Sequence, residues 1–160
     1  MPTPVDEQLL ILIEAAINTI SVGAGASPGD SITVVRTYRE GETVTHLPEW
    51  PAVILVHNGD VMRDIRLNIV IETVMDLSIL TFMKEPDITQ KALQVSQART
   101  DIIRKIKEDQ YWSDLAAITE FSGTVPTMTD ISHPEATSVV RVLIRYNLDQ
   151  RNPYFMVPLV

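Results

Sequence analysis

Between Thr137 and Asp149 the chain reads TSVVRVLIRYNLD, and from Val140 its apolar residues take every second position: Val140, Val142, Ile144, Tyr146 and Leu148. Arg141, Arg145 and Asn147 stand among the positions between them. Successive side chains of a β-strand point to opposite faces, so this spacing buries one face and wets the other only when the segment is extended. The run RLNIVIETVMDLSILTF, from Arg66, behaves alike. Leu67, Ile69, Ile71, Thr73 and Met75 share one face, and Arg66, Asn68, Glu72 and Asp76 the other. It is long for one strand, so a bend or bulge is expected around Asp76 to Ser78. Two half-buried strands need a cover for their apolar faces.

Two helices can supply it. Thr3 as N-cap, Pro4 at the first helical position and Asp6 in the first turn predict a helix start. Leu9, Leu10, Ile13, Ala16, Ile17 and Ile20 then build one apolar stripe. Ile11 and Leu12 fall outside that stripe and call for a second neighbour, from the same domain or from another subunit. Farther on, Asp87 as cap and Gln90 as its partner open a helix of roughly twenty residues. Ile88, Ala92, Val95, Ile102 and Ile106 line one side of it, with Ile103 beside them. Arg104, Lys105 and Lys107 in its last turns complement the helix dipole from a wet face.

The rest is extended or irregular. GAGASPGD from Gly23 is a connector, and its glycines lack the strand and the Gly-Lys-Ser or Gly-Lys-Thr of a phosphate cradle. ITVVRTY from Ile32 reads as a strand, REGETVTHLPEW as a long polar loop and PAVILVH as a central strand. Asn58 to Asp60 reads as a turn. A polar strand is expected from Thr124 to Ile131, with SHPEAT as a hairpin connection to the closing strand, Ser138 to Leu148. Strands in consecutive runs with helices apart from them indicate an α+β fold: a mainly antiparallel sheet flanked by the N-terminal helix and the long second helix. One domain is expected over residues 1–148, with 149–160 as an extended C-terminal arm.

At 160 residues the chain is long enough to bury roughly two thirds of its unfolded surface. It has no cysteine, which removes disulfide and thiolate chemistry. The net charge of −8 argues against a protein that grips phosphate. That excess is local: residues 1–89 hold thirteen acids and five bases, and residues 90–160 hold eight of each. Asp6 and Glu7 stand where a signal peptide needs positive charge, and Glu14 and Asn18 interrupt the apolar run that a membrane span would need. A soluble, unprocessed chain is the expectation.

Candidate chemistry is sparse. His46, His57 and His133 lack the spacing that places two ligands on one helix face. His57 and Asp60 could form an acid–base or metal pair, or the histidine could simply bond a turn. No Gly-x-Ser-x-Gly elbow occurs. Glu40, Glu42 and Glu49 match no calcium loop and read as solvated acids or docking charges. What stands out is apolar surplus: Ile11 and Leu12 on the first helix, Trp50 in LPEWP, and Tyr154, Phe155, Met156, Val157 and Leu159 in the proline-punctuated C-terminus. Such segments mark contacts with other chains, or an arm that folds back on its own sheet.

The element order, from Val5 to Tyr146, resembles the tail terminator and minor tail (tail-completion) proteins of long-tailed bacteriophages. The resemblance rests on Arg36 and Tyr38, the charged loop, then Pro51, Val53 and Gly59, and the terminal strand with Arg145 and Tyr146. It implies a structural virion protein with no catalytic residues, metal or cofactor. Such a protein forms a homohexameric ring that caps the tail tube, ends its polymerisation and joins the head connector. The implied partners are copies of itself, the tail tube protein and the head-completion protein, with DNA passing through the lumen without specific binding. The implied place is the head–tail junction of the virion, after synthesis in the host cytoplasm. An acidic lumen would repel passing DNA. A connector stopper or tail tube subunit is the near rival, set aside on the long second helix and the absence of a large hairpin insertion. A small cytoplasmic enzyme or ligand-binding domain using His57, Asp60 and the acidic loop is the distant one.

Overall fold

The two alternating stretches lie side by side. The computed structural model describes residues 3–21, 32–34, 36–39, 51–66, 70–84, 87–127, 135–149 and 152–156, with the backbone alone at 64–66, 88–89, 91, 124–127, 135–136 and 153–156. Along the chain run α1 (Val5–Ile17), β1 (Arg36–Arg39), β2 (Ala52–Arg66), β3 (Val70–Lys84), α2 (Ile88–Glu108), β4 (Ile118–Thr127), β5 (Glu135–Asp149) and β6 (Asn152–Met156). The sheet order is β1-β2-β3-β5-β4, with β6 also paired to β5. Among the described residues only the β1–β2 pair is parallel. The expected α+β fold is therefore the observed one.

Both helices cover one face. Met75, Leu77, Ile79 and Met83 of β3 and Val140, Val142, Ile144 and Tyr146 of β5 join a buried cluster with Leu9, Ile13 and Ile17 of α1 and Val95, Ala98, Ile102 and Ile106 of α2. The residues between them on β3, from Glu72 to Phe82, are only half-buried and form the outer face. Burying a leucine- or isoleucine-sized side chain is worth roughly 1.5–3 kcal/mol, so this cluster is the main term holding helices to sheet. Arg39 adds a clasp from β1 to α1: its Nε donates to Glu14 Oε2 at 2.9 Å and its Nη1 to Glu7 Oε1. Burial alone would lower the pKa of Arg39, but its bonds to Glu7 and Glu14 outweigh that and raise it.

The structure corrects several boundaries. Pro4, not Thr3, is the N-cap of α1; its ψ of 153° is extended, and no side chain caps the helix. Thr3 instead uses its carbonyl, which accepts from Gln8 Nε2 at 2.6 Å. Ile32 and Val34 are buried outside the sheet, because Val34 N donates to Ile20 O at 2.9 Å at the exit of α1. β4 starts at Ile118, well before Thr124. In α2 the Asp87 cap holds, accepting from Gln90 N at 3.1 Å. Ala92 is exposed and Ala98 takes its place in the stripe. Lys105, expected on a wet face, is buried with its Nζ 2.6 Å from Glu108 Oε2.

The largest correction concerns Asn58 to Asp60. This is not a turn but an irregularity inside one continuous strand: His57 pairs with Leu77 and Gly59 with the next residue back, Asp76, leaving Asn58 extra. Gly59 sits at φ 126°, where only glycine is comfortable. The bulge foreseen around Asp76 to Ser78 thus lies across from those residues, on β2. β3 itself pairs with β5 without interruption from Val70–Asp149 to Lys84–Glu135. β2 and β3 pair antiparallel over their whole length, from Ala52–Phe82 to Arg66–Val70, as a long hairpin. The C-terminal segment, through Met156, pairs with its own β5, Leu148 opposite Met156.

Candidate functional site

The bulge decides which side chains meet. Residues three apart in a regular strand face opposite ways, but the extra Asn58 returns Asp60 to the face of His57. Their partners confirm it: Leu77 and Met75 both face the helices. His57 Nε2 lies 2.8 Å from Asp60 Oδ1. The two residues that the sequence offered as a possible acid–base or metal pair are thus in contact, and no cluster of three or more His, Cys, Asp or Glu side chains capable of holding a metal occurs among the described residues. Nearby Tyr146 is buried, which pushes its phenol up, and the charges of Asp60 and Asp6 push it further. It stays protonated at any physiological pH.

On the outer face the same bulge aims Asn58 at β3. Its Nδ2 donates to Asp76 Oδ1 at 3.1 Å and to Ser78 Oγ at 2.8 Å. Arg141 from β5 donates to both Asp76 oxygens, at 2.9 and 2.5 Å. The Arg141 hydrogen bond holds the Asp76 carboxyl below the ordinary carboxylate value against a smaller opposing effect of burial, and Asn58 helps. Half-buried apolar residues flank this polar centre: Ile54, Val56, Leu80 and Val139 on one side, Val74 and Leu143 on the other. No helix among the described residues covers this face.

The free edge is the second feature. Among the described residues β1 pairs only with Ala52–Leu55, so β2 from Val56 onward has no strand on that side. Val61 and Met62, on this edge, are 70% and 60% exposed. Sequence reasoning missed both; the signal was two adjacent apolar residues between Asp60 and Arg63, which suit no buried face. Leu93, Tyr111 and Ile118 were also missed and are exposed.

Of the residues singled out for contact, Ile11 is 48% exposed, and Leu12 is half-buried and packs in part against the core cluster. Tyr154, Phe155 and Met156 lie in β6, which the backbone places beside β5. Trp50, Glu40, Glu42, Glu49, Val157 and Leu159 lie outside the described residues, as do His46 and His133. No helix among the described residues is long and apolar enough to cross a membrane. Compared with known proteins, the chain matches no family model, and no curated sequence matches it.

Proposed function

We propose that this chain is a structural subunit that assembles with copies of itself into a ring, hexameric by the resemblance, on the end of a bacteriophage tail tube. There it ends tube polymerisation and forms the joint to the head connector, with the tail tube protein and the head-completion protein as its neighbours and DNA passing through. The observation that carries the reading is the uncovered apolar surface. A sheet face with Ile54, Val74, Leu80 and Leu143, and an edge with Val61 and Met62, are surfaces that other chains bury. The α+β architecture and its element order support it. Light scattering after gel filtration, and negative-stain images of the protein mixed with purified tail tubes, test it. Six-membered rings at tube ends are expected; a discrete monomer that ignores tube ends would overturn the reading.

The β2–β3 hairpin favours a second reading. A tail tube subunit or connector stopper was set aside on the long second helix, which is present, and on the lack of a large hairpin insertion, whereas each strand of this hairpin has 15 residues. A tube subunit would polymerise into long tubes at raised concentration, and a terminator would stop at single rings. Sedimentation across a concentration series separates the two.

A further inference from the structure

The structure assigns Asn58 as a site of spontaneous covalent modification: deamidation through attack by the backbone nitrogen of Gly59, restrained by the bonds that hold the Asn58 amide on the outer face. Five asparagines occur in the chain, and only Asn58 is followed by glycine; the others precede Thr19, Ile69, Leu148 and Pro153. With no Cβ, glycine leaves its own nitrogen free to approach the preceding side-chain carbonyl carbon. The geometry adds to that. Asn58 is the extra residue between the His57–Leu77 and Gly59–Asp76 pairs, so it has no register partner on β3 to fix it. Asn58 and Gly59 are both exposed, and nothing lies within 4 Å of where a Cβ on Gly59 would stand. No strand among the described residues covers this stretch of the β2 edge.

The reaction needs no reagent beyond solvent water. The nitrogen of Gly59 forms a bond to Cγ of Asn58 and gives up its proton, the Cγ–Nδ2 bond breaks, and Nδ2 leaves with that proton as ammonia. Water then opens the cyclic imide at either carbonyl, which leaves an aspartate or an isoaspartate at this position. For the attack Cγ has to turn toward the main chain, and Nδ2 must release Asp76 Oδ1 at 3.1 Å and Ser78 Oγ at 2.8 Å. Those two bonds are the restraint. The product has a carboxylate oxygen where Nδ2 donated to Asp76, so two like charges meet beside Arg141, which already donates twice to Asp76. The inference is independent of the tail reading and survives or fails without it.

The test is incubation of the full folded chain at mildly alkaline pH, followed by peptide mapping with mass spectrometry. Conversion is expected at Asn58 ahead of Asn18, Asn68, Asn147 and Asn152, with aspartate and isoaspartate both present, the signature of the imide. Ser78→Ala removes one restraining bond and is expected to speed that conversion by about two- to tenfold. The converted fraction, separated by ion exchange, is expected to unfold about 1–4 °C lower than the unconverted one. Asn58 still intact when another asparagine has converted, or an equal rate in the protein and in the Ser78→Ala variant, would overturn the proposal.

Discussion

Asp76 shows how one residue couples the outer face to pH. Its carboxyl, ordinarily at 3.8, is lowered in the folded state chiefly by the Arg141 hydrogen bond. A group whose folded pKa is depressed stabilises the fold above its unfolded value and loses that contribution as pH falls through the folded one. The stability difference between the protein and Asp76→Asn should therefore be constant above about pH 5 and shrink below 3.8, as measured by urea midpoints across pH. The pair is partly solvated, so the difference is small and should diminish in high salt. Asp101 is the buried counterpart: it is 2% exposed, and its Oδ2 accepts from Ile32 N at 3.0 Å, fixing the chain where it returns from the connector. Lys105 and Asp101 were unreadable as buried residues, because charge alone predicts solvent and only their partners make burial tolerable.

At the scale of elements, two backbone features carry testable strain. After α2 the chain makes a left-handed turn, with Trp112, Ser113 and Asp114 at φ 48°, 58° and 66°. Asp109 holds it by accepting from Tyr111 N and Ser113 N, at 3.1 and 2.9 Å. Buried Trp112 anchors it, its Nε1 donating to Thr119 Oγ1 at 2.9 Å. The left-handed region costs roughly 1–2 kcal/mol per non-glycine residue. Ser113→Gly should remove that strain, and after the added chain entropy of glycine, chemical denaturation should show a gain of about 0.5–1 kcal/mol. Gly59 is the converse case. Gly59→Val would force a β-branched residue to φ 126° and should cost about 2 kcal/mol or more in the same measurement, although a side chain there has open space.

For the whole molecule, the question is which apolar surface belongs to the chain's own core and which is left uncovered. Val61 and Met62 lie on the free edge, so lysine at both should change monomer stability by less than about 0.5 kcal/mol. The same pair of changes should abolish ring formation if the edge is an assembly surface; unfolding curves and light scattering on one sample would separate the two effects. The sequence by itself determined the alternation of β3 and β5, the stripes of α1 and α2, the Asp87 cap and hence the α+β class. These are periodicities and local bonds, written within a few residues of each other. Only the tertiary structure decided that Asn58 is an extra residue in a long strand rather than a turn, and that His57 and Asp60 therefore share a face. It also decided that Leu12 packs in part against the core, that Val61 and Met62 are exposed, and that Asn152–Met156 lies beside its own β5. Each of those outcomes depends on register with, or cover by, residues far along the chain, and no local pattern encodes a partner that distant.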